Sequence, residues 1–128
     1  MITALLLVAS LEINPTILSG TTWTETANKG SSEIIECPIR FEFVGTKYRY
    51  INDCTGKGGN KIVEFGKYVV SSSSVILTDR RVVVGAGSVF GEDAKQITLK
   101  LVHHQPTSMT LAFGEFVLTL NMVGQVEW

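Results

Sequence analysis

The residues of this 128-residue chain that could do chemistry are two cysteines, two adjacent histidines, a run of serines and a glycine-rich segment. Cys37 and Cys54 supply two thiolates, half of a zinc tetrahedron, and no third ligand stands at metal-binding spacing, so no metal is expected. Their other chemistry is a disulfide. His103 and His104 fall side by side in a predicted strand and so point to opposite faces, where they cannot chelate one ion together. His103 is expected to be the inward member, and an acid–base role for it would need Glu115 or Tyr68 beside it, which nothing in the spacing brings there. Thr55-Gly56-Lys57-Gly58-Gly59 lacks the Walker spacing and the following helix of a phosphate loop. Ser71 to Ser74 lacks the context of a nucleophile elbow and reads as a hairpin loop. The expectation is therefore no catalytic residue, no cofactor and no enzyme.

The elements that must position these groups are strands. Glu36 to Cys54, ECPIRFEFVGTKYRYINDC, is symmetric about Gly45-Thr46. Folded there, it sets Phe43 against Tyr48, Glu42 against Arg49, Phe41 against Tyr50 and Cys37 against Cys54. Gly45 takes the first central position of a type II′ turn, which requires φ > 0. Counting outward, the two aromatic pairs, Ile39/Asn52 and the cysteine pair occupy non-hydrogen-bonded sites on one face. Cα atoms at such sites lie about 4.5–5.5 Å apart, within disulfide reach, so a bridge is expected in an oxidising compartment. The opposite face, with Glu42/Arg49 and Arg40/Ile51, is predicted to be wet.

Turn residues divide the remainder into short pieces. A Thr-rich strand follows Ser19-Gly20, and loops cover residues 28–32 and 55–60. Lys61 to Val70 alternates imperfectly, with Gly66 as a bulge or bend. Val75 to Thr78 and Arg81 to Val84 read as a strand pair with Asp79-Arg80 at the corner, followed by a loop from Gly85 to Asp93. Ile97, Leu99 and Leu101 point inward from a strand over Gln96 to His103, and Met109–Phe113 and Phe116–Met122 close the series. The fold class predicted is all-β, an antiparallel up-and-down barrel of about eight to nine strands, a size that can hold one small ligand.

Residues 18–128 form the single predicted domain. Residues 1–17 form a separate N-terminal segment whose apolar run, Ala4 to Ala9, reads either as a signal remnant without its basic leader or as a barrel plug. It is too short for a transmembrane segment, which takes about 20 apolar residues. Lys+Arg 11 against Asp+Glu 12 gives a formal net charge of −1. The basic residues are scattered along the chain with only Arg80-Arg81 adjacent, so nothing is expected to recruit nucleic acid or acidic membranes.

The layout resembles the lipocalin-like, or calycin, domains of small bacterial proteins. The resemblance rests on Leu18-Ser19-Gly20-Thr21-Thr22-Trp23, which is similar to the Gly-x-Trp opening with one extra residue. It rests also on Phe65-Gly66-Lys67-Tyr68-Val69-Val70 running through a Ser-rich turn to Val75-Ile76-Leu77-Thr78, and on the closing Met109-Thr110-Leu111 and Phe116-Val117-Leu118-Thr119-Leu120. It implies that Trp23 sits at the closed end with Arg80 or Arg81 over the indole, and that inward aromatics line a calyx. With the residue pattern it gives Phe41, Phe43, Tyr48, Tyr50, Phe65, Tyr68 and Phe113 as candidate ligand-binding residues, joined by Phe116, and Trp23, Gly45, Cys37 and Cys54 as structural ones. Two functions follow as expectations for an exported, periplasmic or envelope protein. The leading one is a non-enzymatic barrel for a small apolar or amphipathic molecule. The alternative is a filled barrel that binds a protein partner through the loops at Thr55 to Asn60 and Gly85 to Asp93.

Overall fold

The structure is a computed structural model that describes residues 18–26, 37–85, 90–91 and 94–125. The N-terminal segment, with both of its readings, lies outside the described residues. Eight strands, β1 (Thr21–Glu25), β2 (Ile39–Val44), β3 (Lys47–Asp53), β4 (Lys61–Ser71), β5 (Ser74–Val84), β6 (Ile97–Gln105), β7 (Ser108–Phe113) and β8 (Phe116–Gln125), close into an antiparallel barrel in sequence order. Closure comes from β1 pairing with β8, with Thr21 opposite Gln125 and Glu25 opposite Leu120. One end of the barrel carries Leu18–Gly20 and the β2–β3, β4–β5 and β6–β7 turns. The other, the loop end, carries residues 54–60, the β5–β6 connection and the β7–β8 turn.

The β2–β3 hairpin has the register that its symmetry predicts: Phe43 lies opposite Tyr48, Phe41 opposite Tyr50 and Ile39 opposite Asn52. Gly45 sits at φ 61 with no positive φ at Thr46, the type II′ signature. Its N–H donates to Ser19 Oγ at 2.8 Å, and Gly20 N–H donates to the Phe43 carbonyl at 2.6 Å, tying the chain's entry to the turn. Cys37 and Cys54 form a disulfide with Cα atoms 5.2 Å apart.

The strand after the serines departs from expectation. Asp79-Arg80 is not a corner, because β5 runs unbroken from Ser74 to Val84. Three residues of β4, Phe65 to Lys67, span four of β5, Thr78 to Arg81, so β5 carries a bulge with Asp79 at φ 50. Aspartate tolerates that left-handed conformation better than most residues, and the extra residue shifts the alternation so that Arg80 turns inward. Merging two expected pieces into one strand brings the count to eight. The bulge expected at Gly66 does fall at this step, but its extra residue is on β5: Gly66 lies across from it and stays in register opposite Tyr48, on the inner face. A Cβ there would come within 2.5 Å of the Tyr48 ring and 2.6 Å of the Thr78 carbonyl oxygen, so only glycine fits beneath the ring. The serine run is a tight turn, with Ser71 opposite Ser74 and Ser72 at φ 45.

Inward positions from all eight strands fill the barrel. Trp23, Phe41, Phe43, Tyr48, Tyr50 and Leu111 are among the side chains with no more than 1 % exposure. Each such burial removes apolar surface worth roughly 1.5–3 kcal/mol, which is what holds so open a topology together.

Candidate functional site

Five rings meet at the loop end. Phe41 and Tyr50 project from the hairpin, their centroids 5.4 Å apart, and Phe113 and Phe116 project from the paired ends of β7 and β8. Phe90, from the β5–β6 connection, is 5 % exposed and drops between them, 5.9 Å from Tyr50, 5.7 Å from Phe113, 6.0 Å from Phe116 and 6.2 Å from Phe41. Three of these contacts are edge-to-face, the arrangement that ring quadrupoles favour. Deeper in, Phe43 stacks on Phe41 at 5.8 Å and meets the edge of Tyr68 at 4.9 Å.

Beside the rings lies a buried polar group. Arg80 donates from Nε and Nη2 to the two oxygens of Glu64 at 3.1 and 3.0 Å, and the Tyr48 hydroxyl donates to Glu64 Oε2 at 2.6 Å. Two of the three remaining guanidinium hydrogens reach the carbonyls of Gly91 and Ala94, each at 2.6 Å, which follow Phe90 in the chain. Buried charge is tolerated when it is paired and hydrogen-bonded, and this pair is both. Burial, then the hydrogen bond and charge of Glu64, hold the Tyr48 phenol well above its ordinary range, so it remains a donor. Burial alone raises Tyr68. For Arg80, burial opposes the charge, but the hydrogen bonds and charge of Glu64 outweigh it and raise its pKa.

Of the predicted ligand-binding residues, the structure brings Phe41, Phe43, Tyr48, Tyr50 and Tyr68 into the interior and sets Phe113, partly buried, at its mouth. Phe65 does not join them. It lies opposite Arg49 and Arg81 on the outer wall, with the Arg49 guanidinium 5.8 Å from its ring centroid. Phe65 and Tyr68 stand three apart on one unbroken strand, so they cannot share a face. Trp23 is fully buried, and its Nε1–H donates to Thr21 Oγ1 at 2.7 Å; the Arg80 guanidinium goes to Glu64 instead of an indole stack, and Arg81 points outward. Glu64 and Phe90 were not foreseen, and Arg80 was expected only over the Trp23 indole. The signal for Glu64 was its even spacing from Tyr68; nothing local marked Phe90.

The other chemical candidates are kept apart. His103 lies opposite Thr110 near the β6–β7 turn, at the far end of the barrel from Glu115 in the β7–β8 turn. His104, not His103, faces inward, because the register shift between Leu101 and His103 resets the alternation; it lies beside Met109, its Nε2 is buried with no hydrogen-bond partner among the described residues, and its pKa is lowered by burial and by His103. The glycine-rich segment is a single 3-10 turn, Thr55–Lys57, closed by Gly59 N–H donating to the Cys54 carbonyl at 2.9 Å.

Among solved structures the chain is similar to a lipocalin-like protein from Bacteroides uniformis ATCC 8492, with a TM-score of 0.53 and 17% identity over 86% of this chain and 99% of that one. No protein-family model matches the chain, and no curated protein does. The fold is that of a lipocalin-like barrel. No helix among the described residues is long and apolar enough to cross a membrane.

Proposed function

We propose, with a lipocalin-like barrel as the premise, that this protein is a non-enzymatic carrier for a small apolar or amphipathic molecule, exported to the periplasm or cell envelope. The observation that carries the reading is the ring cluster at the loop end, in which Phe41, Tyr50, Phe113 and Phe116 surround a ring supplied by a connection and not by a strand. Strand residues are held by the ladder; Phe90 is held by its ring contacts and by the two Arg80 bonds to neighbouring carbonyls. An apolar group entering at that end takes the place of the Phe90 ring. Tyr50 lies directly opposite Glu64 on the neighbouring strand, so the Tyr48–Glu64–Arg80 group stands ready to orient the polar part of such a ligand. The disulfide is compatible with an oxidising compartment.

Mass spectrometry of an organic extract from the natively purified protein, beside a denatured control, tests this. A stoichiometric apolar molecule released only from folded protein is the expected result. Tyr50→Ala should weaken uptake of that molecule more than it weakens folding, whereas equal losses mean plain core. If the extract is empty and neither wild type nor Phe90→Ala takes up a hydrophobic dye, the reading is wrong.

A further inference from the structure

The outer wall of β2–β5 concentrates charge that the sequence scatters. Six of the eleven Lys and Arg residues, Arg40, Lys47, Arg49, Lys61, Lys67 and Arg81, project from this one face. Against them stand Glu42, Asp53 and Asp79, which leaves a formal local charge of 6 − 3 = +3 on a chain whose net charge is −1. The strands β6, β7 and β8, by contrast, contain one charged residue, Lys100.

Two features mark the face as more than a solvated wall. Lys47 and Lys67 lie directly opposite each other on neighbouring strands, a like-charge arrangement that costs stability in isolation and is relieved by an anion between them. The face also opens two clefts of about 430 and 410 Å³. Lys47, Lys67 and Arg81 with Asp79 line the first; Arg40, Arg49 and Lys61 with Asp53 line the second. Asp79 pairs loosely with Lys67, at 3.6 Å with both side chains mostly exposed, and Asp53 lies opposite Lys61, but each cleft sets three cations against its one carboxylate, so neither is neutralised.

We propose that this wall docks on an anionic phospholipid bilayer, with a phosphate headgroup in each cleft. Apolar side chains interleave the cations: Phe65 between Arg49 and Arg81, Ile51 and Val63 in the second cleft, and Val69 half-exposed beyond Lys67. That mixture fits the headgroup layer, where cations meet phosphate and apolar groups enter the acyl boundary, better than it fits a nucleic-acid backbone. The net negative charge of the chain does not prevent docking. Four strands span about 14 Å, beyond the screening length of about 8 Å in physiological salt, so the bilayer senses the wall it touches. The proposal does not depend on the interior holding a ligand.

Sedimentation of the purified protein with phosphatidylglycerol–phosphatidylcholine vesicles tests it. Wild type should pellet with anionic vesicles, remain in solution with pure phosphatidylcholine, and be released by salt. Lys47→Gln with Lys67→Gln should weaken the partition about 25-fold, at roughly fivefold for each cation lost near an anionic surface. The charge-matched control, Lys95→Gln with Lys100→Gln, removes two cations from outside the wall and should change it less than twofold. Both pairs are exposed, and unfolding by heat confirms that each variant is intact. Equal losses in the two variants, no binding to anionic vesicles, or binding to RNA in place of vesicles would each overturn the proposal.

Discussion

The same four strands carry two carboxylate–arginine pairs, one on each side of a single wall. Glu64–Arg80 faces the interior, with side-chain exposures of 0 % and 3 %, while Glu42–Arg49 faces outward, with Arg49 31 % exposed. The chemistry is the same and the surroundings are opposite. Water reaches the outer pair through Arg49, whereas the inner pair is completed by protein groups, Tyr48 and the Gly91 and Ala94 carbonyls among them. The difference teaches that register, not residue type, decides whether a pair is structural. One bulged residue, Asp79, is what sends Arg80 inward while Arg81 stays out.

The sharpest way to break this comparison is to remove one inner partner. Glu64→Ala takes from the buried guanidinium the carboxylate it is bonded to twice and should cost about 3–5 kcal/mol, read from urea unfolding of the disulfide-intact protein. A loss below about 1 kcal/mol would mean that water reaches Arg80 and that the two pairs are alike.

A second test addresses the packing that the inner pair depends on. Tyr48 reaches Glu64 by lying across Gly66, so Gly66→Ala must push the ring or the Thr78 carbonyl aside. Overpacking of this kind costs about 1–3 kcal/mol, and the loss should be smaller in a Tyr48→Phe background, where the ring no longer has a hydrogen bond to keep. Equal costs in the two backgrounds would separate the glycine from the polar group.

These two sites also show what could be read in advance. The hairpin was legible because its pairs are of matching type and its turn glycine has one role, so Phe41, Phe43, Tyr48 and Tyr50 fell inward as expected. The parity of β4 was legible too, and would have placed Glu64 inside and Phe65 outside had it been counted from Tyr68. Arg80 was not legible, because a bulge resets alternation and an Asp-Arg-Arg run also suits a corner. Phe90 was hidden for a different reason: it lies in a connection, where no periodicity says which way a side chain points. The cationic wall was invisible for a third, since Arg40, Lys47, Arg49, Lys61, Lys67 and Arg81 become neighbours only through strand pairing.

Alkaline pH sharpens the comparison without mutating either pair. An unfolded tyrosine titrates near pH 10, whereas burial and Glu64 hold folded Tyr48 above that. Below pH 10 both states keep the proton, and the shift has no effect on stability. Above it the unfolded chain binds fewer protons than the folded one, so stability falls as pH rises, by up to about 1.4 kcal/mol per pH unit for one such group. Tyr68, raised by burial, adds a loss of the same sign. In Tyr48→Phe the slope above pH 10 should be shallower than in wild type; parallel profiles would place the Tyr48 hydroxyl in water.

The smallest effect is expected outside. Glu42→Ala removes the hydrogen bond from Arg49 Nε, but Arg49 retains its position over Phe65 and its access to solvent. The loss should be under about 1 kcal/mol and should shrink further as salt is added, because the released guanidinium is hydrated and screened. A double-mutant cycle with Arg49→Ala, run at low and high salt, isolates the pair from the packing of each side chain. A coupling energy that salt leaves untouched would mean that the outer pair is as secluded as the inner one. Glu42 is itself only 6 % exposed. The cycle therefore asks whether one open partner is enough to let water weaken a pair, which is the assumption on which the contrast between the two faces of this wall depends.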